Sequence, residues 1–231
     1  MKQEEPTGMR DAYLEERFSQ YDAWLKEGKI AFSSKVLPVR ESLEAKQWVM
    51  PSEQVLELLR NSQSFALTQC ECRVRYQRCD NPLEVCFLLD EVADQYVTDG
   101  QARRITLAEA ERTLRQANEH GLVHLTIYMP TRKVYAVCSC CSCCCHDLQM
   151  LRSYHRPDLI AHSEYVAQTD EELCIHCGKC IERCVFEARR WRDGRMEYDA
   201  TACYGCGLCV TVCPVKATSM ERREDSGSVG K

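Results

Sequence analysis

Residues 174–214 use one cysteine pattern twice, and that repetition limits what the chain can be more than any other feature. The first run reads Cys174-Ile-His-Cys177-Gly-Lys-Cys180-Ile-Glu-Arg-Cys184, the second Cys203-Tyr-Gly-Cys206-Gly-Leu-Cys209-Val-Thr-Val-Cys213-Pro214. Both are C-x2-C-x2-C-x3-C. Three thiolates spaced two residues apart wrap one corner of a four-iron cubane, because the intervening residues turn the backbone and aim the sulfurs inward. The fourth cysteine begins a helix that carries it away, so it completes the other cluster. The spacing therefore predicts two [4Fe-4S] clusters. Cluster I takes Cys174, Cys177, Cys180 and Cys213; cluster II takes Cys203, Cys206, Cys209 and Cys184. Zinc also accepts C-x-x-C, but zinc ribbons supply two separated ligand pairs instead of three evenly spaced ligands and a fourth. Gly178, Gly205 and Gly207 are expected where the backbone closes on a bulky cluster and a side chain would clash.

With these motifs, residues 168–220 resemble the bacterial two-cluster ferredoxins. One departure is Val185, where that family often has Pro after the fourth cysteine; the second run keeps Pro214. The ligands are intact, and only the local turn differs. The resemblance implies a ferredoxin-like unit that passes single electrons at low potential.

The chain has 18 cysteines in 231 residues, so ten lie outside the double motif. A disulfide scaffold would need an export signal, and the first residues have no apolar core of that kind. No apolar run is long enough to span a bilayer. The expectation is a reduced, cytoplasmic, metal-loaded protein. A formal charge of −5 gives no electrostatic argument for nucleic acid or an anionic membrane. A helix followed by a hairpin could suggest a winged helix, but no basic recognition helix accompanies it.

In chain order, residues 9–27 carry Tyr13, Leu14, Phe18, Tyr21, Trp24 and Leu25 at helical spacing, with Gly28 as the stop. This amphipathic helix either packs on the domain behind it or serves as a partner-docking arm. After a less regular segment, Pro51 opens another helix. Ser64–Gln69 reads as a buried strand leading to Cys70. Asn81-Pro82 then caps an expected helix to about Thr98, with Cys86 in its early turns. Thr106 and Glu109 form a capping box for a helix ending at Gly121. Leu122–Tyr128 and Lys133–Val137 read as a hairpin, and Asp193-Gly194 as a second one.

The expected fold class is α+β: a helical or mixed N-terminal domain with a small hairpin, followed by the ferredoxin-like domain. The divisions are an N-terminal helical arm (1–60), a cysteine-rich α+β domain (61–157), the ferredoxin-like domain (168–220) and a disordered tail (221–231). The ten further cysteines predict one or two additional iron–sulfur clusters. Cys70, Cys72, Cys79 and Cys86 supply one, and the Cys138, Cys140, Cys141, Cys144, Cys145 group another, or the two groups share; zinc is the alternative. Arg73, Arg75 and Arg78 would offset thiolate charge. His146 reads as a polar helix-start residue before it reads as a ligand.

The order Cys70-x-Cys72-Arg73, Cys79 to Cys86, the capped helix, Gly121-Leu-Val and the Cys138–Cys145 run also resembles a group of cysteine-rich four-iron–four-sulfur binding proteins from anaerobes, over residues 65–220. That resemblance implies an accessory electron-transfer protein or redox subunit with an oxidoreductase partner. No acid–base pair, nucleotide loop or flavin fingerprint points to an independent enzyme. The alternatives are a reductase whose N-terminal cluster is the catalytic site, and a cluster or metal assembly factor.

Overall fold

In a computed structural model, which describes residues 11–43, 55–130 and 132–223, the chain is α+β. Helix α1 (Ala12–Lys26) begins where the Asp11 side chain accepts from the Leu14 N–H at 2.9 Å, and it stops at Gly28 in the left-handed region. Its stripe of Leu14, Phe18, Tyr21, Trp24 and Leu25 packs on Met150 and Leu159, so it serves the protein's own core. Residues 1–10 and the Pro51 helix start lie outside the described residues, as does the tail beyond 223.

Seven strands make one sheet in the order β4-β2-β3-β6-β5-β1-β7. They are β1 (Ser34–Leu37), β2 (Phe65–Gln69), β3 (Glu84–Leu89), β4 (Ala102–Arg104), β5 (Val123–Met129), β6 (Arg132–Cys140) and β7 (Ile160–Ala161). Neighbours are antiparallel except β1 and β7. The expected hairpin is β5–β6, and it forms the middle of this sheet instead of standing alone. The expected helix from Asn81 to Thr98 is two elements, β3 and then α4 (Asp90–Thr98), so Cys86 sits on a strand. The reason is burial on both faces. Phe87 and Leu89 point to one apolar layer and Leu88 to the other, an alternation that a strand delivers and a helix does not.

Helices α2 (Val55–Asn61) and α5 (Leu107–Glu119) cover one face. The capping box of α5 forms as expected, with Thr106 and Glu109 bonded reciprocally, and Gly121 takes φ 71° beyond its end. On the other face lie α4, α6 (His146–Arg152) and the C-terminal unit, which contributes Tyr204, Cys206 and Leu208 to the same apolar layer as Val123, Leu125 and Cys140.

The C-terminal unit runs β8 (Tyr165–Thr169), α7 (Lys179–Arg183), β9 (Arg189–Arg192), β10 (Arg195–Tyr198), α8 (Leu208–Thr211) and β11 (Thr218–Arg222). Its first and last strands pair antiparallel, Tyr165 opposite Arg222, so ordered structure reaches into the segment expected to be a free tail. β9 and β10 form the Asp193-Gly194 hairpin, both turn residues having positive φ as a type I′ turn requires. No helix among the described residues is long and apolar enough to cross a membrane.

Candidate metal centres

The C-terminal unit is built as two half-sites related by its internal repeat. In each, a left-handed glycine (Gly178, φ 79°; Gly207, φ 77°) precedes a short helix, α7 or α8. That glycine swings the third cysteine of the run back toward the first two. Cys174, Cys177, Cys180 and Cys213 line one enclosed cavity, together with Ile175 and Val215. Cys203, Cys206, Cys209 and Cys184 lie close enough for their charges to interact. The structure thus brings together both quartets named from the spacing.

The two quartets differ in environment. Cys177 is exposed, and Leu173, Ile175, Trp191 and Val215 form an exposed apolar rim nearby, Ile175 at 60 %. Cys203, Cys206 and Cys209 are buried. Burial pushes the Cys206 thiol well up and Cys209 to about 11, so as free thiols they would stay protonated. Bound metal cations supply the counter-charge that makes such groups thiolates.

Between the quartets lies Arg189, only 3 % exposed. Its Nη1 donates to Thr169 Oγ1 at 2.9 Å and reaches Cys180 Sγ at 4.0 Å; its charge also acts on Cys209. Its buried Nη2 has no hydrogen-bond partner. A buried, half-satisfied cation between two sets of thiols fits two anionic thiolate-bound clusters, and the donor set and cavity fit [4Fe-4S] groups. Arg189 escaped the sequence reading because only the fold carries it between the cysteines.

The three glycines are hemmed in by the protein itself. A Cβ on Gly205 would fall on the Tyr165 carbonyl and the Ser163 hydroxyl; one on Gly207 would strike Ser42, and one on Gly178 the Trp191 ring. Protein atoms alone already exclude a side chain at these three positions. Gly205→Ala must also hold φ 75°, which costs about 1–2 kcal/mol before the clash is counted. The expected result is a lower melting temperature and under-loading of the inner quartet, read as iron per chain.

The ten remaining cysteines do not sort by sequence neighbourhood. Cys79, Cys141, Cys143 and Cys144 have all four sulfurs within 4.8 Å of one another. Cys143 is the one cysteine of the ten absent from the expected ligands, and nothing in its spacing distinguishes it from Cys144. The other six follow one another in a closed circuit. Cys70 adjoins Cys72 and Cys86, Cys72 adjoins Cys145, Cys145 adjoins Cys140, Cys140 adjoins Cys138, and Cys138 adjoins Cys86. Both expected groups, 70–86 and 138–145, are therefore shared between two assemblies.

His146 begins α6 as expected, yet its ring also reaches the cysteines. Nδ1 lies 3.1 Å from Cys72 Sγ, while Nε2 lies 3.0 Å from both Tyr21 Oη and Asp147 Oδ2. Burial disfavours its charge, but the Asp147 carboxylate outweighs that and raises the imidazole to about 9.

Residues 167–220 match the family model described as a 4Fe-4S dicluster domain. Over 59 residues the chain is 41 % identical to pyruvate synthase subunit PorD of Methanothermobacter marburgensis, covering 24 % of this chain and 64 % of that one. It is 29 % identical over 84 residues to hydrogenase-4 component A of Escherichia coli, covering 36 % and 41 %. A ferredoxin of Pyrobaculum islandicum is 37 % identical over 51 residues, covering 22 % and 48 %. In each case the match spans less than two thirds of the relative. Residues 167–220 are a ferredoxin-type 4Fe-4S domain, and these relatives are a pyruvate synthase subunit, a hydrogenase component and a ferredoxin.

Proposed function

We propose that the chain is a one-electron relay of an oxidoreductase, linking a partner at the exposed quartet to a metal–thiolate centre beneath the seven-stranded sheet. The reading assigns Cys174, Cys177, Cys180 and Cys213 to an outer [4Fe-4S] cluster and Cys203, Cys206, Cys209 and Cys184 to an inner one. When bound, such clusters supply reversible one-electron chemistry at a potential tuned by hydrogen bonds and exposure. Relatives that are named subunits of pyruvate synthase and hydrogenase support a redox partner.

The observation that carries the reading is the difference in burial. The outer quartet meets solvent behind an apolar rim suited to docking. Cys206 of the inner quartet shares an apolar layer with Cys140 and Cys145 of the N-terminal domain, while Cys203, Cys209 and Cys184 sit in the ferredoxin-type unit's own core. Phe186 and Tyr204, stacked with centroids 4.5 Å apart, pack in the same layer as Cys206. Arg189 offsets negative charge on both quartets. The chain's cysteine sites thus include an exposed quartet and a buried one that touches the N-terminal domain through Cys206.

Anaerobic redox titration followed by electron paramagnetic resonance tests this. Two interacting low-potential one-electron centres and at least about eight irons per chain are expected; a chain without redox-active iron would refute the relay. The rim makes a second prediction. Leu173→Gln with Ile175→Gln should raise the concentration of protein partner needed for half-maximal reduction about tenfold, the effect of some 1.4 kcal/mol of lost apolar contact. Reduction by dithionite, which needs no docking surface, should be unchanged.

A further inference from the structure

We infer that the ten cysteines outside the ferredoxin-type domain form two separate metal sites. Cys79, Cys141, Cys143 and Cys144 hold a single tetrahedral divalent ion; Cys70, Cys72, Cys86, Cys138, Cys140 and Cys145 ring a polynuclear iron–sulfur cluster. The ring would be the inner end of the relay proposed above and rests on that reading; the tetrad does not.

Distance decides the tetrad. Its sulfurs lie 3.8 Å apart for Cys79–Cys141 and for Cys143–Cys144, and 4.0 Å apart for Cys79–Cys144. Thiolates bonded at about 2.3 Å to one tetrahedral ion stand about 3.8 Å from each other. A cubane core would force them apart. Among the described residues, no three sulfurs of either ferredoxin-type quartet come within 4.8 Å of one another, whereas all four of the tetrad do. Outer contacts steady the tetrad as they do metal ligands generally: Asn81 Nδ2 donates to Cys79 Sγ at 3.3 Å, and Arg78 Nη1 to the Cys143 carbonyl at 3.1 Å.

The ring is open where the tetrad is compact. Each of its sulfurs adjoins two others, and no three are mutually within 4.8 Å. The backbone explains the division. Strand alternation puts Cys138 and Cys140 on one face of β6, beside Cys86 on the paired strand β3. The turn at Ser142–Cys144 then folds Cys141, Cys143 and Cys144 toward the loop carrying Cys79. Cys145, at the start of α6, returns to Cys72 and Cys140.

Arg73 provides the independent argument. It is 1 % exposed, and its guanidinium donates to the Ser139 carbonyl and reaches Cys141 Sγ at 3.6 Å, with Nε unpartnered. Its charge faces Cys70 and Cys86 of the ring and Cys141 of the tetrad. Neutral thiols packed as small apolar groups would leave this buried cation uncompensated. Metal-bound thiolates on both sides compensate it.

The test is native mass spectrometry of the anaerobically purified full-length chain, with iron, zinc and acid-labile sulfide assayed alongside. One ion without accompanying sulfide is expected, with zinc or mononuclear iron told apart by mass, plus at least about four irons beyond the eight of the two cubanes. Cys143→Ser should lose the single ion and keep the sulfide; Cys138→Ser should lose the extra iron and sulfide and keep the single ion. Loss of about four irons with their sulfide from Cys143→Ser would mean one cluster spanning both groups and would overturn the division. So would a wild-type inventory of eight irons and nothing else, which leaves the ferredoxin relay standing. Fewer than eight irons would instead count against the relay. The wild-type inventory decides these points even where a variant fails to fold.

Discussion

Cys206→Ala is expected to leave the chain about four irons short, with the outer quartet still reducible and the N-terminal metal retained. Cys206 is the cysteine of the inner quartet that lies at the contact between the two halves. Its sulfur is buried in the layer shared with Cys140 and Cys145, and its carbonyl accepts from the Val39 N–H at 2.9 Å. Losing one ligand of four unloads the inner site, while the smaller side chain leaves only a small void. Because cluster binding is coupled to folding, the inner half should melt earlier than the rest. The functional effect should be near-total: a partner would still reduce the outer centre, and electrons would reach the N-terminal centre orders of magnitude more slowly. Freeze-quench spectroscopy of the two centres checks this. Unimpaired N-terminal reduction would remove the inner quartet from the route.

The second large effect is expected at Arg73. Arg73→Met takes a buried cation from between two thiolate assemblies, leaving their negative charge uncompensated. Breaking a buried charge pair costs about 3–5 kcal/mol, so the loaded protein should lose N-terminal metal and melt on the order of 10 °C lower. The same substitution in metal-stripped protein should be neutral or stabilising, because there the arginine is itself the unpaired charge. Calorimetry of both forms decides the matter. Stabilisation in the loaded form too would show that the surrounding sulfurs carry no charge.

Local features of the fold were legible in the sequence because their causes are local. The capping box at Thr106 and Glu109, the glycine stops at 28 and 121, and the Asp193-Gly194 turn each depend on a few adjacent residues. Residues 84–89 misled for a physical reason: an apolar run buried on both faces has no periodicity, and Asn81-Pro82 before it resembles a helix start. The seven-strand order was not readable, since it rests on pairings between distant segments, such as β1 with β5 and β7. The double motif was legible because its spacing is a local signal, and the structure draws the cysteines of each named quartet near one another. The other ten cysteines could not be sorted by spacing because Cys140 and Cys141, neighbours in the chain, belong to different assemblies. Arg73 stood out beside Cys72, but its burial and its place between the assemblies are tertiary facts, as they are for Arg189.

The strap over the inner quartet has a consequence for how the protein is made. Val39 bonds to Cys206, Ser42 packs against Gly207, and Lys35 pairs with Glu164. Residues 34–43 therefore emerge from the ribosome long before the segment they close upon. Until residues 160–209 arrive, β1 lacks its β7 neighbour and an apolar face of the sheet stays uncovered, a state prone to aggregation. A cluster delivered before that closure would meet open ligands, whereas afterwards Cys203, Cys206 and Cys209 are buried. Maturation is thereby coupled to the order in which the chain folds: the longer residues 34–43 wait for their partner segment, the longer that sheet face stays open.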